Sequence, residues 1–327
     1  MPLLWLIAIG RAQMEVGVVE RGAQLLLSSG SPYQPNPHAV PDFNPYLPGM
    51  SLFGIPHALF GDSVFTSARV WSLLGFLAAV IAAVRVSAKS GAGVPANCAR
   101  VTGVLWLIAC PVVALPLAIG GVDPPVVALI CLTLAYSQRG HAGRAGLVLG
   151  VAAALKGTAW PALPVVIAVL AVRHGRRAAL RCAAAASGIA VLAVLPALLR
   201  DSGAFYENAI LYPFGLSDTK SSAESPLLGH LIVSVVPNGE AVTMALILLS
   251  AVGLGMSLLV RPPRNTVAAA NRLALGLGLI IMLSPATRVG YAIYPLILLT
   301  WPRFAVGLSR GTRPCLRDHP ERTTVSG

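Results

Sequence analysis

Charge is what this sequence has least of. Only 11% of its 327 residues are charged while 56% are hydrophobic, and the mean hydropathy is +0.75. A water-soluble domain has too little polar surface here to cover so much apolar surface, so the solvent must be lipid. Acidic residues are the scarcest, 12 against 24 Lys and Arg, for a net charge of +12. That excess would suggest nucleic acid in a soluble protein. In a membrane protein, basic residues in short loops orient the chain instead, and no nucleic-acid partner is expected.

Cysteine pairing is also missing. Cys98, Cys110, Cys131, Cys182 and Cys315 show no CxxC spacing and no His-flanked pattern, which speaks against a disulfide frame. His57 and His230 have no second His or carboxylate at ligand spacing, so they mark no metal site; no cofactor is expected, and metal dependence stays open. No internal repeat is visible. The N-terminal run PLLWLIAI at 2–9 is far short of the roughly 20 apolar residues a crossing helix needs. No basic region precedes it as in a signal peptide, so a reading frame beginning upstream of Met1 is expected.

What the sequence does contain is a succession of apolar runs between Val64 and Phe304. They predict an all-α, polytopic transmembrane bundle of about nine to eleven spans, forming one membrane domain over residues 1–306. Spans are placed near 64–86, 101–119, 124–137, 145–156, 159–173, 181–199, 240–260, 270–286 and 289–306. Several are short or broken by Pro111, Pro116, Pro161, Pro164 or Pro295, and such helices need protein or a cavity beside them.

Loop charge orients the bundle. Arg85, Lys89 and Arg100, then Arg139 and Arg144, then Arg173, Arg176, Arg177 and Arg181, then Arg261, Arg264 and Arg272 alternate with segments that carry the carboxylates. The basic set is expected to face the cytoplasm, with a basic, disordered tail at 307–327 holding Arg310, Arg313, Arg317 and Arg322. Glu15, Glu20, Asp42, Asp62, Asp123, Asp201, Glu207, Asp218, Glu224 and Glu240 fall on the other, extracytoplasmic side. Two outer segments, 10–63 and 200–239, the second including Lys220, are too long to be turns, and long ordered loops carry function.

Four stretches on that side resemble one family. Glu15-Val-Gly-Val-Val-Glu-Arg-Gly22-Ala23, followed by Gly30-Ser31-Pro32-Tyr33, resembles the first outer loop of multi-span glycosyltransferases of the C superfamily, especially bacterial, actinobacterial-type mannosyltransferases using polyprenyl-phosphate mannose. There an acidic residue, usually Asp, closes the first span. Glu15 stands in its place. Phe43-Asn44-Pro45-Tyr46-Leu47-Pro48 resembles the aromatic-proline stretch that follows. Gly120-Gly121-Val122-Asp123-Pro124-Pro125 and Lys156-Gly157-Thr158-Ala159-Trp160-Pro161 resemble the second acidic loop and the Lys-x-Thr-Ala-x-Pro segment. Ser284 to Tyr291 with Tyr294-Pro295 resembles the C-terminal outer turn.

The resemblance implies transfer of a sugar, mannose in that family, from a polyprenyl-phosphate donor to a lipid-linked or cell-envelope glycan. The site would lie on the outer face of the cytoplasmic membrane, with inversion at the anomeric carbon. Such chemistry needs a carboxylate to deprotonate the acceptor hydroxyl and cations to hold the departing phosphate. Glu15 or Asp123 could be the base, with Glu20 as a fallback. For Asp123, turn and helix-capping chemistry is the competing role. Lys156, Arg288 and Arg69 could hold the phosphate. Lys156 could instead snorkel to the interface, and Arg69 could pair with Asp62. Tyr33 and Tyr46, like Tyr206, Tyr212, Tyr291 and Tyr294, sit where an aromatic belt is expected, with sugar stacking the sharper alternative. A secondary transporter, a lipid flippase or a noncatalytic relative are the rival functions. Transporters tend to show inverted repeats and mid-membrane charges.

Overall fold

The computed structural model describes residues 13–88, 94–219, 221, 223 and 225–307, with side chains for all of these except 94–101 and 303–307. The expectations for 2–9, Lys89, Lys220, Glu224 and the tail beyond Gly307 lie outside the described residues, as do those for the side chains of Cys98 and Arg100. Among the described residues there are helices and no strands.

Fourteen α-helices follow one another: α1 (Met14–Ser29), α2 (Ile55–Phe60), α3 (Ala68–Ser87), α4 (Val94–Ala109), α5 (Pro111–Ile119), α6 (Asp123–Gln138) and α7 (Ala142–Leu155). Then come α8 (Ala162–His174), α9 (Arg176–Arg200), α10 (Ser202–Tyr206), α11 (Leu228–Val235), α12 (Gly239–Val260), α13 (Thr266–Leu283) and α14 (Ile293–Gly307). Among the described residues, five segments are long and apolar enough to cross a membrane: α3, α8 with its leading turn, α9, α12 and α13. A sixth results if α4 and α5, bent by 61° about Cys110, form one span. The chain is a multi-pass membrane protein.

This count is smaller than the number of apolar runs because it takes in only the longer helices: α6 with 16 residues and α7 with 14 also run from one end of the bundle to the other but are shorter than a full crossing of roughly 20. Both are mostly buried. They are apolar because they form the interior, not because they face lipid. By contrast only 17% of the apolar windows of α9 and α12 is buried within the protein, so lipid must cover the rest. The 10–63 segment also holds more order than a loop: α1 occupies its first part, closed by Gly30 at φ +79, a conformation that favours glycine.

Small residues set the tightest contacts. A Cβ built on Gly146 would lie 2.4 Å from the Cys182 carbonyl oxygen, and one on Gly150 2.8 Å from that of Ala186. This Gly-x-x-x-Gly face lets α7 lie against α9 at backbone distance. Gly49 and Gly54 likewise let the 3-10 stretch Pro48–Gly54 settle on Ala154 and on Val19.

Because successive long helices run antiparallel, the connections sort to two ends. The turns at 139–141, 175 and 261–265 lie at one end with Arg139, Arg173, Arg176, Arg261 and Arg264; there Arg139 donates to the Ala88 carbonyl and Arg272 to that of Arg261. Segments 30–67, 120–122, 156–161, 201–219, 225–238 and 284–292 lie at the other end, with Glu20, Asp42, Asp62, Asp123, Asp201, Glu207 and Asp218. The alternation of charge in the sequence is thus a polarity of the bundle.

Candidate active site

The acidic end is assembled from helix ends. Gln13, just before α1, donates its N–H to the Ile119 carbonyl at 3.3 Å, tying α1 to the turn after α5. Gly120 makes that turn at φ +91; a Cβ there would collide with Val16 and Arg69, 2.5 and 2.7 Å away. Three residues on, Asp123 opens α6, followed by Pro124 and Pro125. Two prolines carry no N–H, so the carboxylate of Asp123 has no amide donor at either of the next two positions, and no side-chain cap forms at the start of α6. Among the described residues the Asp123 carboxylate accepts from Lys156 and Tyr294 and from no backbone amide, so the capping role weighed for it is not seen.

Its carboxylate turns to side chains instead. Lys156 Nζ lies 2.6 Å from Asp123 Oδ1, and the Tyr294 hydroxyl donates to the same oxygen at 2.7 Å. Thr158 Oγ1 in turn donates to the Tyr294 hydroxyl at 2.8 Å. Lys156 follows the last residue of α7 in extended conformation and is 7% exposed, too buried for a lysine that snorkels to the interface. Its ammonium sits 4.6 Å from the centroid of the Tyr291 ring and 5.5 Å from that of Tyr46, within reach of cation–π attraction. Burial opposes this charge, but Asp123, Tyr291 and Glu15 more than offset it and hold the ammonium above its ordinary range.

The second pair closes the cluster from the two chain ends. Arg288 NH1 donates to Glu15 Oε1 at 2.7 Å. Glu15 stands in the first turn of α1, and Arg288 precedes the 3-10 turn Val289–Ala292. The segment around Arg288 is clasped by residues 223 and 225: Thr287 N–H donates to the Ala223 carbonyl, Ser225 N–H to the Thr287 carbonyl, and Val289 N–H to Ser225 Oγ. The two pairs lie close together: Gln13, two residues before Glu15, bonds the turn that leads to Asp123, and the ring of Tyr291, three residues after Arg288, lies 4.6 Å from the Lys156 ammonium. Burial dominates at Glu15 and pushes its carboxyl above the usual carboxylate range. Its second oxygen, Oε2, is buried and has no hydrogen-bond partner among the described residues.

The remaining candidates lie nearby in other roles. Tyr46 is held in place because Leu47 N–H donates to the Leu155 carbonyl at 3.1 Å, immediately before Lys156. Tyr33 is set behind it: 2% exposed, its hydroxyl donates to the Tyr46 carbonyl at 2.9 Å and its ring meets Phe205 edge-on. Arg69, buried in the first turn of α3, packs its stem on Gly120, and the carboxylate acting on it is Glu20. Asp62, weighed as its partner, is exposed and 3.5 Å from His57. Glu20 is committed to structure: its Oε1 accepts from the Ala68 N–H at 2.9 Å and from Ser67 Oγ at 3.4 Å, capping α3. Among the described residues no group of three or more His, Cys, Asp or Glu side chains could hold a metal ion.

Two contributors escaped the sequence reading. Thr158 lay inside the Lys-Gly-Thr-Ala segment, but nothing in it signalled a bond to Tyr294, 136 residues away. Asn208 is fully buried; it accepts from the Asn44 N–H at 2.8 Å and donates to the Gln34 and Ala204 carbonyls. It joins the two long segments of the acidic end, and no motif marked it.

Architecture and motifs converge on one class of protein, a polytopic glycosyltransferase of the C-superfamily type. Within that class the chain belongs to glycosyltransferase family 87, whose family model matches residues 44–285. The match takes in Asp123 and Lys156, while Glu15 precedes it and Arg288 follows it. No curated protein and no solved structure gives a match.

Proposed function

We propose that this membrane glycosyltransferase moves a sugar, mannose by resemblance of its motifs, from a polyprenyl-phosphate donor to a lipid-linked or cell-envelope glycan at the outer face of the cytoplasmic membrane, with the C-terminus inside. The observation that carries this reading is the convergence of Glu15, Asp123, Lys156 and Arg288, which start 273 residues apart at the extremes, into one partly buried cluster. Two carboxylates and two cations serve both halves of the chemistry.

Glu15 is the better base. One of its oxygens has no partner among the described residues and its pKa is raised by burial, which makes it a stronger proton acceptor than an exposed carboxylate. It takes the proton of the acceptor hydroxyl as that oxygen attacks the anomeric carbon from the face opposite the phosphate. The bond from the anomeric carbon to phosphate oxygen breaks, and polyprenyl phosphate leaves. Lys156 and Arg288 bear the charge that grows on the phosphate. Asp123, already engaged by Lys156 and Tyr294, serves as counter-ion.

Below the charged site, Phe76, Leu107, Val113, Ala128, Ile297 and Trp301 line a small, wholly apolar gap among α3, α4, α5, α6 and α14, too narrow as it stands for a prenyl chain. The positive-inside bias of the opposite end supports the orientation, and the gathering of described carboxylates at one end favours an enzyme over a transporter. Purified protein given polyprenyl-phosphate mannose or GDP-mannose tests the donor class. Transfer from the lipid donor alone supports the reading; transfer from the nucleotide sugar, with none from the lipid donor, rejects it.

A further inference from the structure

We infer that Tyr294 is a positioning residue for the donor phosphate, acting through Asp123 to fix the place of the Lys156 ammonium, with Thr158 fixing Tyr294 in turn. This rests on the proposed lipid-phosphate donor. The bonding leaves the chain Thr158–Tyr294–Asp123–Lys156 only one direction. An ionised Asp123 accepts and cannot donate, so the Tyr294 hydroxyl spends its one proton on Oδ1, and Thr158 must donate to Tyr294. Both polar slots of the phenol used here are filled, while its ring is fully buried among core side chains.

The same carboxylate oxygen receives both Lys156 and Tyr294. A lone ion pair on a four-carbon lysine stem leaves the ammonium free to swing about the carboxylate. A second donor anchored on a rigid helix fixes the carboxylate, and the carboxylate then fixes the ammonium. The prolines after Asp123 make this possible by removing the amides that would otherwise compete for its oxygens. The rings of Tyr46 and Tyr291 flank the ammonium at 5.5 and 4.6 Å, which leaves it few other places to go. Tyr294 itself reaches no reacting atom; its effect is transmitted.

The test compares binding of a polyprenyl phosphate with that of the matching uncharged polyprenol by purified wild type, Tyr294→Phe and Thr158→Val, with thermal unfolding recorded for each. Tyr294→Phe should weaken phosphate binding about tenfold, the worth of one hydrogen bond to a charged group, and leave polyprenol binding unchanged. Thr158→Val, at a half-buried site, should weaken phosphate binding about twofold to threefold. Equal loss for phosphate and alcohol, or no loss for phosphate in either variant, overturns the positioning role. A wild type that binds both lipids equally well overturns the donor reading, and the positioning role falls with it.

Discussion

Removing the Lys156 charge alone should harm the fold far more than removing it together with its partner. Lys156 and Asp123 have side chains only 9% and 13% exposed and stand 2.6 Å apart. At that burial, solvent screens little of their interaction. Lys156→Met leaves the Asp123 carboxylate buried beside Tyr294 without a counter-charge, and deleting one member of a buried pair costs about 3–5 kcal/mol. Asp123→Asn leaves the ammonium in the same position, with a comparable cost. The double variant removes both charges and keeps an amide able to accept from Tyr294, so most of the loss should return, leaving a net change of about 1 kcal/mol or less. Thermal unfolding of the detergent-solubilised protein at one fixed scan rate reads the order: wild type and double variant close together, both single variants well below. Sugar transfer should be lost in Lys156→Met and in the double variant, because methionine cannot hold a phosphate, and should fall in Asp123→Asn, where the ammonium is present but no longer held by a counter-charge. Unfolding midpoints in which the double variant falls by the sum of the singles would refute the idea that these charges compensate one another.

Activity should fall as pH drops through a value above the ordinary glutamate range, because burial raises the Glu15 pKa and the base works only when ionised; a kcat/KM profile flat from neutrality down to pH 4.5, the usual glutamate value, would remove Glu15 from that role. Gly146→Ala should destabilise the protein strongly, since its Cβ meets a carbonyl oxygen at 2.4 Å, whereas Gly17→Ala, with nothing within 4 Å, should be stabilising by about 0.5–1 kcal/mol as a helix former replaces glycine. Unfolding midpoints of the two variants check both signs. In a cysteine-free background, Asp218→Cys should react with a membrane-impermeant maleimide in intact cells and Arg264→Cys should not; the reverse pattern would invert the orientation.

Much of the fold could be read because lipid makes hydrophobicity a strong signal and loop charge an oriented one. The sorting of arginines and carboxylates along the chain became the two ends of the bundle. What apolar runs could not distinguish was a helix facing lipid from one buried in protein: α6 and α9 both carry long apolar stretches, yet one is core and the other mostly faces lipid. The 10–63 segment looked like a loop because Pro and Asn crowd residues 32–48, and this hid the ordered helix α1 just before them.

The four charged residues of the site were each visible in the sequence as ionisable groups at helix ends. Their partners were not, because the pairings join residues 33 and 273 positions apart, and no local pattern encodes such contacts. Glu20 and Glu15 were nearly equivalent on paper. Five residues along a helix turns a side chain to a different face, and Glu20 was drawn to cap α3 while Glu15 met Arg288. Tyr33 and Tyr46 were also alike, and the hydrogen bond between them puts one ring in front and the other behind.

Reconstituted into vesicles, wild type and Glu15→Gln given radiolabelled polyprenyl-phosphate mannose and envelope lipids test the central claim most directly. The variant should bind the donor as wild type does yet transfer label at least about a hundredfold more slowly, the scale of a lost general base. Full transfer by Glu15→Gln, and still by a variant in which Glu20 and Asp123 are replaced as well, would contradict the proposed site.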